Sequence, residues 1–341
     1  MFGVAEPEPV LELTVDHLDR VRGMLTGVAL GDALGGPHEF RYQVKLDRYS
    51  GCVEFPLQYS PRYQGKKTGN VGQITDDTEM TITLADTLSH VDGYNRDRAV
   101  TNYMAWANSN TAFLGQNTRA LFVGIKTLKG FNQRHRTLHN VPLSEWTQSN
   151  GCLMRCSPLA ALPENEWAAA AASDCSITNP SPVCVDGVLA YIAATRALLA
   201  GASAEVATAA ALAYATTPTV VTAITEGRDG TARDVSDLAT KGWIAHALYC
   251  AFAALNDNRS QTFQDRIDVV IRRGGDTDTN GAIAGALLGA QLGVNAMLNE
   301  DRTARNAEIV LTVNPHAGEL PRPAHYAANR IPVVAHNLAA L

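Results

Sequence analysis

The segment Gly274-Gly275-Asp276-Thr277-Asp278-Thr279-Asn280 sets two carboxylates one residue apart, between a glycine pair and the small-residue run 281–293. A second cluster, Thr75-Asp76-Asp77-Thr78, opens another helical run, so the two supply four carboxylates and four hydroxyls with no Cys or His among them. Hard oxygen donors of this kind suit Mg²⁺, Mn²⁺ or Ca²⁺ better than Zn²⁺. Capping by Thr75 or Asp76 accounts for one such residue, and acids in a first helical turn are ordinary. Adjacent aspartates flanked by threonines exceed what a cap needs, because their repulsion costs stability unless a cation lies between them.

Other polar positions carry less specific signals. Glu39 follows the helix stop Gly35-Gly36-Pro37; on residue type alone it reads more readily as a solvated loop carboxylate than as a catalytic one. Arg155, in Asn150-Gly151-Cys152-Leu153-Met154-Arg155-Cys156-Ser157-Pro158, is a surface charge or a ligand clamp. His135 and His139 read as surface residues and His246 as a satisfied core histidine.

The elements that would position these residues are helices. The chain has 341 residues, 46% hydrophobic and only 6% aromatic, so its apolar content is mostly Ala, Leu, Val and Ile, which favours close-packed helices. We expect a lead-in over 1–15 and one domain over 16–341, since no linker or charge block divides it. Apolar periodicity predicts helices from Asp16 to Gly35, from Thr75 or Asp76 through Leu88, and over 97–107, 116–129, 183–200, 203–215, 236–255 and 263–273, with a central helix over 281–292. Residues 41–72 read as a long loop facing a site, 130–149 as irregular, 175–182 as a Pro-rich loop and 216–235 as mostly loop. A net charge of −6 without a basic stripe argues against a nucleic-acid partner. Six scattered cysteines without a CxxC pair point to reduced thiols and a cytoplasmic setting. No signal peptide or uninterrupted membrane-length apolar run is evident, and no heptad seam argues against a monomer.

Taken in order, Gly31-Asp32-Ala33-Leu34-Gly35 with Glu39, Thr75-Asp76-Asp77-Thr78, Asn150-Gly151 with Met154-Arg155 and Pro158, Thr178 with its prolines, and GGDTDTNGAIAGALLG resemble the ADP-ribosylglycohydrolase family over roughly residues 18–293. The resemblance implies an all-α, orthogonally packed, single-domain helical bundle. It also implies a dinuclear Mg²⁺ or Mn²⁺ centre held by Thr75, Asp76, Asp77, Asp276, Asp278 and Thr279, with Glu39, Asp77 and Asp278 carrying catalysis and Glu39 on a loop that can swing away. ADP-ribose would lie along Gly115, Asn117, Thr118, Asn150, Gly151, Met154, Thr178 and Asn179. The activity implied is hydrolysis of the glycosidic bond between ADP-ribose and an acceptor, a protein side chain above all. The rivals are a silent ADP-ribose-binding module and a two-metal phosphohydrolase.

The chain departs from the family pattern twice. Phe113-Leu114-Gly115-Gln116 stands where arginine-specific bacterial members often carry Asp-Ile-Gly-Asn, which weakens an arginine-linked assignment. Thr178-Asn179 replaces a common Thr-His pair, and an Asn can hydrogen-bond a phosphate or hydroxyl but cannot serve as a cation or general acid.

Overall fold

Four glycines one turn apart on the first helix, Gly23, Gly27, Gly31 and Gly35, face Gly289, Gly285, Gly281 and Thr277 of the central helix, running antiparallel. A methyl group on any of the four would overlap the opposing backbone carbonyl, so only glycine permits this approach. The structure, a computed structural model, describes residues 15–41, 49–53, 70–89, 93–142 and 147–341. The expected lead-in and most of the 41–72 loop lie outside them. The fold is all-α: among the described residues there are no strands, only two isolated antiparallel bridges, Arg41 with Gly275 and Ser149 with Trp243.

The first helix is Val15–Gly35 and the central helix Thr277–Leu292, and their backbone contact fixes where the acids lie. It sets Asp32 and the chain leaving Gly35 beside the N-terminus of the central helix, where Asp276 and Asp278 sit. Arg20 ties down the far end: its guanidinium donates to the carbonyls of Gln291, Ala290 and Leu198 at 2.7, 3.2 and 3.4 Å, a cation at the C-termini of two helices. The helix Asp76–Ser89 is almost wholly buried. Its Glu79 receives Trp106 Nε1 at 2.7 Å and two donors of Arg322 at 2.7 and 2.8 Å, which turns that acid away from its neighbours Asp76 and Asp77.

Pro182–Leu199 is 18 residues long with a mean hydropathy of 1.5, enough by length and composition to cross a bilayer, but 67% of it is buried in the protein. Asp186 and Arg196 interrupt its apolar run, and Asp186 accepts the amides and hydroxyls of Thr216 and Thr217.

Several expected boundaries differ. The helix read over 116–129 is two, Gln116–Phe122 and Leu128–Leu138, parted at the left-handed Gly124. The second occupies much of the run expected to be irregular; Thr127 caps it and Phe131 is its buried anchor. Residues 216–235, expected as loop, hold the helix Pro218–Asp229, started by Thr217 with Pro at its first position and stopped by Gly230 at φ 68°. The 236–255 helix begins only at Ile244, because residues 237–243 turn through Gly242 at φ 75°. The helix Trp167–Thr178 takes up half of the expected Pro-rich loop.

Candidate active site

The floor of the site is built on the two glycines before Asp276. Both are left-handed, Gly274 at φ 78° and Gly275 at φ 74°, and a side chain on Gly275 would overlap the Val235 carbonyl. The turn sends Gly275 across to the loop after the first helix: Phe40 N donates to Gly275 O at 2.6 Å and Gly275 N to Arg41 O at 2.7 Å. Glu39, one residue earlier, is thereby held against the head of the central helix and is fully buried, not the solvated loop acid its residue type suggests. Glu39, Asp276 and Asp278 each bring a carboxylate oxygen to within 4.8 Å of the others.

Asp32 positions the second cluster. Its carboxylate accepts the amides of Thr75 and Thr78 at 2.9 and 3.1 Å and their hydroxyls at 2.8 and 2.6 Å. The Thr75 hydroxyl also lies 3.0 Å from Asp77 Oδ2, yet its one hydrogen serves only one acceptor. Asp77 Oδ1 is buried without a hydrogen-bond partner. Burial, then the carboxylates of Asp32, Asp76 and Asp276, push the Asp77 carboxyl well above the usual range. Burial likewise raises Asp32, to about 6, against the opposing pull of its threonine donors.

The two clusters, 200 residues apart in sequence, thus act on one another electrostatically, and the charges acting on Asp77 among the described residues are all negative. A donor set made only of carboxylate and hydroxyl oxygens, with a buried carboxylate oxygen that no donor among the described residues reaches, fits hard divalent cations.

Above this floor opens a cleft of about 720 Å³. Gly115, Asn117, Thr118, Asn150, Gly151, Met154, Thr178 and Asn179 all line it, together with Glu39, Asp76, Asp276 and Thr279. Thr75, Asp77 and Asp278 are buried beneath. Asn150 joins wall to floor, donating its side-chain amide to Asp276 Oδ2 at 2.7 Å. Asn117 donates to the Thr178 carbonyl at 2.6 Å, and Asn179 to the Ser149 hydroxyl at 2.9 Å, while Asn179 Oδ1 is left without a protein partner.

Arg155 is neither a surface charge nor a clamp on the ligand. It is fully buried, donates to Asp174 Oδ2 at 3.1 Å, and lies over the Tyr103 ring at 4.9 Å from the centroid. From there it donates to Gly151 O at 2.7 Å and Thr178 Oγ1 at 3.0 Å, so it fixes two wall segments from behind. His135 is half-buried and makes a 2.9 Å hydrogen bond with the Ser176 carbonyl, so it is not a free surface residue. His246 is buried as expected, with Nε2 at 3.0 Å from Thr240 Oγ1, though its Nδ1 has no partner.

Sequence reasoning missed the wall residues Phe40, Leu114, Gln116, Thr147, Ser149, Lys241 and Gly242; apart from Gln116, which opens a helix, they belong to connecting segments without periodicity. Phe113 is fully buried against Leu320, so the wall beside it presents Leu114 and no acid.

Residues 13–312 match the model of the family described as ADP-ribosylglycohydrolase. An uncharacterized protein of Escherichia coli, YegU, is 27% identical over 312 residues, covering 82% of this chain and 89% of that protein. The ADP-ribosyl-[dinitrogen reductase] glycohydrolase of Rhodospirillum rubrum is 26% identical, over 81% of this chain and 87% of its own. The ADP-ribosylarginine hydrolase Tri1 of Pseudomonas putida is 24% identical, over 82% and 72%. A solved structure titled as an ADP-ribosylglycohydrolase-related protein complex superposes with a TM-score of 0.66 at 21% identity, covering 96% of this chain and 99% of that one, and shares the fold. With its family match spanning nearly the whole sequence, this chain belongs to the ADP-ribosylglycohydrolases, enzymes that hydrolyse glycosidic linkages to ADP-ribose.

Proposed function

We propose that this enzyme releases ADP-ribose from a modified protein side chain with the help of two divalent cations, Mg²⁺ or Mn²⁺, acting as a monomer in a reducing, cytoplasmic setting. The observation that carries the reading is the meeting of Glu39, Asp276 and Asp278 within 4.8 Å beneath a cleft wide enough for a nucleotide. The names of two relatives, both hydrolases of ADP-ribosyl linkages, point the same way.

Thr75, Asp76, Asp77, Asp276, Asp278 and Thr279 would hold the cations. Bound there, the cations supply charge stabilisation to the sugar as the glycosidic bond breaks. The residues of the chain do the rest. Asp77 and Asp278, buried in the first turns of their helices, complete the carboxylate array. Glu39 stands where floor meets cleft and is the acid or base nearest an entering ribose. Asn150 holds Asp276 by its side-chain amide and thereby couples the seated substrate to the floor. Gly115, Asn117, Thr118, Asn150, Gly151, Thr178 and Asn179, which line the cleft, orient the diphosphate and adenosine, and Met154 excludes water beside them.

The test is incubation with an ADP-ribosylated protein and Mg²⁺, with separation of the nucleotide products. Intact ADP-ribose should appear, stop on chelation and resume when Mg²⁺ or Mn²⁺ is restored. Release of AMP or phosphate would make the enzyme a phosphohydrolase. Tight ADP-ribose binding with no product from any linkage would make it a binding module, and undiminished turnover without metal would refute the cation centre.

A further inference from the structure

Lys241 is the only cationic side chain among the described residues that line the cleft. It is exposed at the tip of the 237–243 turn, and its ammonium lies 3.9 Å from the centroid of the Phe40 ring on the opposite loop. Both partners are held in place. Phe40 is left-handed at φ 61°, a conformation a bulky residue adopts only where its surroundings impose it; here the imposition is the pairing of its loop with Gly275. On the other side, Asn150 N donates to Gly242 O at 2.8 Å and Trp243 N to Thr240 O at 3.1 Å.

The ammonium therefore spans the mouth at the carboxylate end of the cleft. Phe40 follows Glu39, and a side chain on Gly242 would come within 3.4 Å of Asp276 Oδ2. Among the described residues, the acids lining the cleft are Glu39, Asp76 and Asp276, all part of the floor, and the wall at Phe113-Leu114 adds none.

We propose that Lys241 is a specificity-determining residue that disfavours acceptors cationic at the linkage and selects oxygen-linked, uncharged ones. This rests on the hydrolase reading above: with the ribose at the carboxylate end, the bond to the acceptor breaks beside Phe40 and Lys241, and the departing group passes beneath the ammonium. A guanidinium there meets like charge, and among the described residues no carboxylate outside the floor lines the cleft to offset it. A hydroxyl leaving group meets no such repulsion.

The test compares two peptides of otherwise identical sequence, one ADP-ribosylated on serine and one on arginine, with Mg²⁺ present. The wild type should favour the serine-linked peptide in kcat/KM by about tenfold or more, the order expected of one unit charge acting through partly screened solvent. Lys241→Glu should narrow that ratio by about tenfold, through faster turnover of the arginine-linked peptide, with Lys241→Met between the two. Inhibition by free ADP-ribose should be unchanged in both variants.

An arginine preference in the wild type, or a ratio that Lys241→Glu leaves unmoved, overturns the proposal. An equal loss on both peptides with weaker ADP-ribose inhibition also overturns it, since Lys241 would then be a diphosphate ligand. If the wild type releases ADP-ribose from neither peptide, nor from any other linkage, the hydrolase reading itself falls and this inference falls with it.

Discussion

Asp32 caps Thr75 from 43 residues upstream: its carboxylate takes both the amide and the hydroxyl of Thr75, as it does those of Thr78. The helix that delivers Asp76 and Asp77 is therefore started by a side chain of another helix, itself locked against the central helix through glycines. Removing that acceptor strands two buried amides and the Thr78 hydroxyl, while the Thr75 hydroxyl can turn to Asp77. Asp32→Ala should lower stability by about 3 kcal/mol in urea unfolding, and Asp32→Asn, which keeps one oxygen, by clearly less. A cost below about 1 kcal/mol for the alanine variant would mean that Thr75 and Asp76 start the helix unaided.

Arg155 and Asp174 form an ion pair with almost no solvent exposure on either side. Breaking it from one end leaves a charge buried without compensation, so Arg155→Met should cost about 3–5 kcal/mol. Replacing both, Arg155→Met with Asp174→Leu, should restore much of that loss, because the desolvation of the pair disappears with it. Substrate affinity should not return in the double variant, since Gly151 and Thr178 lose the guanidinium that fixes them. Full recovery of KM would show that the wall holds itself in place.

The site is legible in the sequence wherever chemistry is concentrated in a short stretch. The Asp-Thr clusters announce oxygen donors by composition, and the wall positions from Asn150 to Asn179 come from the order of the motifs. What stays hidden is what depends on partners distant in sequence: Asp32 to Thr75 across 43 residues, Arg322 to Glu79 across 243. Nothing in periodicity says which buried charge meets which, so Arg155 reads as a surface charge or a ligand clamp. The helix Pro218–Asp229 is a different failure. Its start and stop signals are present in Thr217, Pro218 and Gly230, but the β-branched run between them disguises it, and packing outweighs propensity.

The contact between the first and central helices makes a sharp steric prediction. Gly27→Ala and Gly285→Ala each drive a methyl into backbone, which cannot move aside as a side chain can. Either change should cost about 3 kcal/mol or more, or leave the protein insoluble. Gly230→Ala is the control: that glycine is left-handed but has nothing within 4 Å of the added carbon. It should cost only about 1 kcal/mol, by circular dichroism melts under the same conditions. Equal costs at all three would mean the helices can separate to admit the methyl.

Glu39 is buried on a turn stitched to Gly275 through the backbone, so the loop has an anchor that does not depend on this side chain. Glu39→Ala should leave the melting curve nearly unchanged and reduce turnover by at least about a hundredfold, the scale of a lost acid–base group. Glu39→Gln should fall equally far, because it keeps the shape and loses the titratable oxygen. A twofold effect of either variant would return Glu39 to a structural role.

The carboxylates of the floor predict an inverse relation between stability and activity. In metal-free protein Asp77 sits against Asp32, Asp76 and Asp276 with its proton affinity raised, so the array stores repulsion that folding must overcome. Asp77→Asn and Asp278→Asn remove one charge each with little change of shape. In chelator, both variants should melt above the wild type by an amount equivalent to about 1–2 kcal/mol. Adding Mg²⁺ or Mn²⁺ should reverse the order: the wild type gains stability in proportion to the logarithm of metal concentration, while the variants gain little and release no ADP-ribose. Melting curves at stepped metal concentrations, run beside the product assay, check both halves at once. Variants less stable than the wild type in chelator would mean that these carboxylates serve the fold through hydrogen bonds before they serve any cation.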